Sequence, residues 1–94
     1  MNKLHAIEQN YKVACALSAV EDAVKKLSES GVAVHAISID NNLPYLMTSN
    51  ALACPDISPI SRARHGDRVV IYRACLFGCV LQFEVNETEE EQAA

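Results

Sequence analysis

The sequence predicts an α+β fold in which one N-terminal helix packs on a four-stranded antiparallel sheet. Two observations lead to this prediction. Apolar residues at positions 11–30 recur at helical spacing, whereas those after Gly31 alternate with a period of two. The later segments are rich in β-branched residues and are separated by turn residues. The predicted order is therefore helix, hairpin, long loop, hairpin.

The predicted helix covers residues 11–30 and has one apolar stripe. At 100° per residue, the stripe lies within an arc of about 80°. Its members are Val13, Leu17, Val20, Val24 and Leu27. Gly31 is suited to the left-handed cap that ends many helices, so we expect the helix to stop there.

Upstream of this stripe, Leu4, Ile7 and Tyr11 also have helical spacing but fall roughly opposite it on the same wheel. Two interpretations are open. Either the chain breaks near Asn10, or one helix begins near Lys3 and presents a second apolar face. The second interpretation indicates a contact with a partner or with another copy of the chain.

Four strands are predicted, at residues 32–39, 43–48, 68–75 and 79–85. Turn residues join the first two strands, and then the last two, into hairpins. Residues 49–67 contain Pro, Gly, Ser and Asn, and they are predicted to form a long irregular loop. Because one helix covers only one face of such a sheet, we expect the other face to have no cover.

We expect a single domain over residues 1–85 and an acidic C-terminal tail over residues 86–94. The chain has 94 residues and half of them are hydrophobic, which suits one small folded domain. The tail contains four glutamates and no base, and it is interpreted as a solvated segment. In a second interpretation, its carboxylates compete with nucleic acid for a basic protein surface.

Charge and hydropathy argue against two classes of partner. The formal net charge is −4, which disfavours general nucleic-acid binding. No apolar run reaches the ~18 residues that a membrane span needs. The first residues lack the long apolar stretch of a secretory signal. We therefore expect a cytoplasmic protein with no membrane contact.

No group of residues predicts a catalytic site, a metal site or a cofactor. The cysteines are Cys15, Cys54, Cys75 and Cys79, and only the last two are closely spaced. A zinc site usually has a second close pair, so we interpret the cysteines as reduced residues in or near the core. Nothing in the sequence brings a histidine together with a nucleophile and an orienting carboxylate, and no Gly-rich phosphate loop is present. We therefore do not expect an enzyme.

All four arginines lie between positions 62 and 73. One interpretation is that they pair locally with Asp56, Asp67 or the acidic tail. The other is a recognition patch, because Arg presents a bidentate fork to carboxylates and phosphates. Together with C-terminal carboxylates, they form the candidate partner-binding set: Arg62, Arg64, Arg68, Arg73, Glu84, Glu87, Glu89 and Glu90.

Three segments share a hydrophobic outline with a known group of proteins. They are Gly31-Val32-Ala33-Val34-His35-Ala36-Ile37-Ser38-Ile39, Pro44-Tyr45-Leu46 and Gly78-Cys79-Val80-Leu81-Gln82-Phe83-Glu84-Val85. With the Arg-containing loop between them, the chain from residue 11 to residue 85 resembles small, mostly uncharacterised phage and prophage proteins of proteobacteria. The resemblance implies a mobile-element accessory protein that binds one host protein, in a group that includes anti-CRISPR inhibitors. It implies no catalytic residues.

The leading hypothesis is a non-enzymatic phage or prophage protein that binds and inhibits a host protein, specifically as an anti-CRISPR inhibitor in the host cytoplasm. The alternative is a self-associating structural or regulatory homodimer, paired through the uncovered sheet face or through the stripe of Leu4, Ile7 and Tyr11. A third hypothesis is weak, salt-sensitive nucleic-acid binding by residues 62–73.

Overall fold

A computed structural model describes residues 3–93 of the chain. Residues 1, 2 and 94, which belong to the predicted domain and tail, lie outside the described residues. In chain order the elements are α1 (Lys3–Glu29), β1 (Val34–Asp40), β2 (Leu43–Thr48), β3 (Ser58–Gly66), β4 (Val69–Leu76), β5 (Cys79–Asn86) and α2 (Glu87–Ala93). The α+β class and the single long N-terminal helix are confirmed.

The sheet has five strands in the order β1-β2-β5-β4-β3, and it is mixed rather than antiparallel. The predicted hairpins are present as β1–β2 and β4–β5. However, β2 and β5 pair in parallel at the centre of the sheet. The prediction of four antiparallel strands is therefore wrong in detail, because β5 lies between β2 and β4 and runs in the same direction as β2.

The additional strand is β3, which lies within the segment predicted to be a loop. All of its residues are exposed, so it has no alternation of apolar and polar side chains that the sequence could show. Its backbone pairs with β4 from Ser58↔Cys75 to Gly66↔Val69, with register shifts near Pro59 and Gly66. Strand formation here depends on the neighbouring strand and not on a local pattern.

The helix α1 is continuous from Lys3, so the interpretation with a break near Asn10 is wrong. Its buried residues are Ala16, Val20, Ala23 and Leu27. The predicted stripe is thus rotated toward the alanines, because small side chains allow the helix to approach the sheet closely. The opposite stripe of Leu4, Ile7 and Tyr11 is exposed.

The end of α1 has the hydrogen bonds of a Schellman cap. The Val32 amide donates to the Leu27 carbonyl at 2.8 Å and the Gly31 amide donates to the Ser28 carbonyl at 3.1 Å. Gly31 has a φ of 76°, which confirms the predicted left-handed cap. The cap turns the chain directly into β1.

The core lies between α1 and one face of the sheet, which we call the inner face. Strand register aligns Ile37, Leu46, Leu81 and Ala74 in one row across this face. Leu46, Leu81 and Ala74 are fully buried. The connection from β2 to β3 also passes over this face, where it buries Ala51 and Cys54.

The acidic C-terminal segment contains the short helix α2, where the sequence predicted a solvated tail. Asn86 caps this helix, because its Oδ1 accepts a hydrogen bond from the Glu89 amide at 2.7 Å. Among the described residues, no helix has an apolar stretch that could cross a bilayer.

The faces of β5 can be tested with two neighbouring residues. Leu81→Ala is expected to lower the free energy of unfolding by about 3 kcal/mol, because it opens a cavity in the core. Val80→Ala, on the opposite face, should cost less than about 1 kcal/mol. Urea denaturation measures both values, and equal losses would contradict the assignment of the two faces.

The β4–β5 turn contains a strained residue. Phe77 has a φ of 50°, in the left-handed region, and its side chain is 51% exposed. A left-handed conformation costs a residue with a Cβ about 1 kcal/mol, and Asn is more tolerant of it. Phe77→Asn should therefore raise the free energy of unfolding by up to about 1 kcal/mol. Phe77→Ala is the control, and thermal unfolding measures the stability of both variants. If Phe77→Ala raises the free energy of unfolding as much as Phe77→Asn, backbone strain is not the cause.

Candidate protein-binding surface

The face of the sheet opposite α1 is the outer face, and its side chains form regular rows. One row crosses all five strands and consists of Ala36, Met47, Gln82, Arg73 and Ser61. Gln82 is central because β5 is the middle strand. Strand alternation and register therefore place two predicted partner-binding residues, Arg73 and Glu84, on this face.

Apolar side chains surround this central row. Tyr45, Val80 and Cys75 form the next row, and Ile71 pairs with Glu84 on the other side. Met47 is 42% exposed, while Tyr45, Val80, Ile71 and Cys75 are half-buried. Within residues 3–93, both helices contact the inner side of the sheet, so the outer face has no cover.

Two shallow depressions flank Gln82 on the outer face. The first has a volume of about 410 Å³ and is bordered by His35, Met47 and Glu84. The second has a volume of about 370 Å³ and is bordered by Ser61, Ile71 and Arg73. The lining mixes apolar side chains with one carboxylate and one guanidinium, which suits a protein surface better than a single small ligand.

The position of Arg73 is fixed by a neighbouring side chain. Its Nε donates a hydrogen bond to Gln82 Oε1 at 3.2 Å across the strand pair. Glu84 lies two residues further along β5 and is exposed on the same face. The outer face therefore presents opposite charges close together at its centre, which favours a partner with a matching charge pattern.

Arg62 belongs to a different part of the molecule, a network that holds α2 against the inner face. Its guanidinium donates two hydrogen bonds to the Glu90 carboxylate, each at 2.7 Å. The Tyr72 hydroxyl donates to the same carboxylate at 2.5 Å. Tyr72 also stacks on Phe83, with ring centroids 5.6 Å apart. The ion pair links β3 to α2, and the Tyr72 hydroxyl links β4 to the same carboxylate.

Two further C-terminal glutamates, Glu87 and Glu89, also have partners within the chain. Arg64 forms an ion pair with Glu87. Glu89 accepts hydrogen bonds from Asn50 at 2.9 Å and from Asn86 at 2.6 Å. Most of the predicted partner-binding set is thus engaged within the chain. Of the two interpretations of the arginines, local pairing with the acidic segment is the one that these contacts support.

The network shifts the ionisation of its members. The hydrogen bond from Arg62, with a further one from Tyr72, lowers the pKa of Glu90 to about 2. The Glu90 carboxylate in turn raises the pKa of Arg62 and of Tyr72. At neutral pH the network therefore favours an ionised Glu90 carboxylate, a protonated Arg62 guanidinium and a protonated Tyr72 hydroxyl.

Arg68 belongs neither to the outer face nor to the α2 network, because it lies in the turn between β3 and β4. It has a φ of 62°, and its carbonyl accepts the Glu87 amide at 2.9 Å. The contributions of Tyr72 and Asn50 to the network were not expected from the sequence. Both are isolated polar positions, and no spacing pattern connects them with the glutamates.

The cysteines differ in their surroundings. Cys54 and Cys79 are buried in the core and Cys75 is half-buried, as expected, but Cys15 is exposed. Burial raises the pKa of the Cys79 thiol, which disfavours the reactive thiolate. Among residues 3–93, no three His, Cys, Asp or Glu side chains converge as metal ligands would.

Comparison with known proteins yields no relative. No family model matches the chain, and searches of curated proteins and of solved structures find no match.

The α2 network has a testable pH dependence. Because folding lowers the Glu90 pKa from its ordinary 4.5 to about 2, ionised Glu90 stabilises the fold above pH 4.5, and this stabilisation is lost as the pH falls toward 2. Glu90→Gln should therefore have a lower Tm than the parent at neutral pH, and the difference should disappear near pH 2.

The matched control is Glu91→Gln, one residue further along α2, which should change the Tm little at any pH. Thermal melts between pH 2 and pH 7 measure both variants. A Tm difference for Glu90→Gln that is constant across this range would contradict the assigned ion pair.

Proposed function

We propose that this protein is a non-enzymatic binding protein that acts by occupying the surface of another protein through its outer sheet face. The observation behind this proposal is the five-strand face with Met47, Tyr45, Val80 and Ile71 around Arg73 and its neighbours. Met47 is exposed and the other three are half-buried, and apolar side chains that solvent reaches, together with a few fixed polar groups, are typical of protein interfaces.

The outer face fits a protein partner better than nucleic acid. Nucleic-acid binding depends on Lys and Arg that neutralise phosphates. Here Arg62 and Arg64 are paired with Glu90 and Glu87, and the outer face has one arginine with Glu84 close to it. The net charge of −4 adds to this argument.

The resemblance of the sequence to phage and prophage proteins suggests the biological setting. In this proposal, the protein is a phage-encoded inhibitor in the host cytoplasm, and its target is a component of a CRISPR effector. A small rigid sheet that covers an essential surface can inhibit without any chemistry of its own.

The experiment is a phage-infection assay in a bacterium whose CRISPR system targets that phage. Expression of the protein should restore plaque formation. Purified protein should also bind the effector complex at a fixed stoichiometry. If plaque formation stays suppressed and the effector is not bound, the proposed inhibition is wrong.

Variants of the outer face locate the binding surface. Met47→Glu combined with Arg73→Glu is expected to weaken effector binding at least tenfold, which corresponds to about 1.4 kcal/mol. Both positions are exposed, so the fold should persist. Lys25→Glu, on the exposed side of α1, is the control and should bind like the parent. Equal binding by all three proteins would refute the role of the outer face.

The alternative function, a self-associating module, has a different observation in its favour. Leu4, Ile7 and Tyr11 form an exposed apolar stripe on the side of α1 that faces away from the sheet. However, the stripe consists of three large apolar residues on one helix, whereas the outer face extends across five strands and carries fixed polar groups as well.

A further inference from the structure

The two edges of the sheet differ in how they are protected against pairing with another strand. An edge strand leaves backbone N–H and C=O groups unpaired, and proteins commonly block it with Pro, Lys, bulges or a covering element. In this sheet the edge strands are β1 and β3.

The β3 edge has several of these devices. It contains Pro59, and its register shifts twice. It also carries Arg62 and Arg64, which are held by α2 on the inner side. Antiparallel pairing of β3 with a second copy about residue 63 would bring Arg62 against Arg64 of that copy, and like charges directly opposite are unfavourable.

The β1 edge has almost none of them. Its sequence has no Pro, Lys or Arg, and its only charged residue is Asp40 at the end. It has one irregularity, near His35, which leaves the backbone regular from Ala36 to Asp40.

Apolar surface lies directly beside this open edge. Ile37 belongs to the inner row with Leu46, yet Leu46 is 0% exposed whereas Ile37 is 50% exposed. The difference means that α1 covers β2 but leaves the inner side of β1 half uncovered. Ile37 is therefore an exposed β-branched residue at the centre of an unprotected strand.

The flank of α1 on the same side is also apolar. Lys26 forms an ion pair with Asp56 at 2.8 Å, in the connection that leads to β3. Leu17 is nine residues before Lys26 and thus 180° away on the helix wheel, so it points toward the β1 side. Leu17 is 50% exposed.

We propose that two copies of this chain associate through antiparallel pairing of their β1 strands about Ile37, which gives a continuous ten-stranded sheet. In this register Ile37 lies opposite Ile37 of the second copy, and Ala36 lies opposite Ser38. These pairs lie in the regular part of β1 and contain no charged residue, so no like charges meet. The strand is therefore self-complementary, which is what a two-fold interface requires.

The available area fits a weak interface. A seven-residue strand is about 23 Å long, and the strand with the adjacent flank of α1, a helix about 10 Å across, is about 20 Å wide. Each copy then contributes roughly 460 Å², or about 900 Å² for the pair, which is below the ~1,000 Å² that stable interfaces usually exceed and is typical of weak association. We expect a dissociation constant in the micromolar range.

The test is sedimentation equilibrium between about 1 and about 200 µM, which brackets a micromolar dissociation constant. The parent protein should change from 10.3 kDa toward twice that mass over this range. Ile37→Lys should weaken dimerisation at least tenfold, because it brings two ammonium groups together at the two-fold axis. A parent protein that stays at 10.3 kDa throughout would refute the dimer.

Ile60→Lys is the matched control, since Ile60 is an exposed isoleucine on the opposite edge, in β3. This variant should dimerise like the parent. If Ile60→Lys abolishes the dimer, or if Ile37→Lys retains it, the interface is not β1.

Charge reversal provides a second, independent readout. Ile37→Glu alone, like Ile37→Lys alone, should dimerise at least tenfold more weakly than the parent, but their equimolar mixture should recover the dimerisation of the parent. Recovery depends on the two side chains at position 37 facing each other, and a mixture that remains monomeric would contradict the proposed register. None of these measurements involves a host protein, so their outcome is independent of the proposed inhibition.

Discussion

Burial of the inner face of the sheet beneath α1 is the interaction on which the rest of this structure depends. A five-stranded sheet with one buried face needs a helix that approaches closely, and Ala16 and Ala23 make that approach possible. Leu46 and Leu81, from the two parallel central strands, are fully excluded from solvent as a result. Because the helix is long but narrow, it covers the centre of the sheet and leaves one margin half exposed. The exposure of Ile37 on the inner side of β1 follows from this incomplete cover.

The elements that could be predicted from the sequence are those with their own local signal. The helix has a 3.6-residue period, Gly31 is a suitable cap, and turn residues at Asn41-Asn42 and Phe77-Gly78 separate segments rich in β-branched residues, of which β5 alternates regularly. The strand β3 could not be predicted, since all of its residues are exposed and the strand is defined by its backbone bonds to β4. The parallel pairing of β2 with β5 is also a non-local property, because it depends on where the β3–β4 hairpin is placed.

The same distinction applies to the candidate site. The sequence drew attention to the arginines and glutamates because of their clustering, but clustering alone does not show which charges neutralise each other. The structure pairs Arg62 with Glu90 and leaves Arg73 on the outer face. The difference arises from strand alternation, since Arg62 and Arg73 lie on opposite faces of adjacent strands. Tyr72 contributes to the network through tertiary packing alone, so no sequence spacing could have identified it.

The length of α1 affects how the molecule behaves in solution. A helix of 27 residues is about 40 Å long, and the molecule measures 53 Å along its longest axis but 19 Å along its shortest. Its radius of gyration is 15.3 Å, compared with about 12 Å for a compact chain of this length. Such an elongated particle diffuses slowly for its mass and elutes early from a gel-filtration column calibrated with globular standards. A single copy can therefore have the elution volume of a heavier, rounder protein, and only a shape-independent mass separates the two.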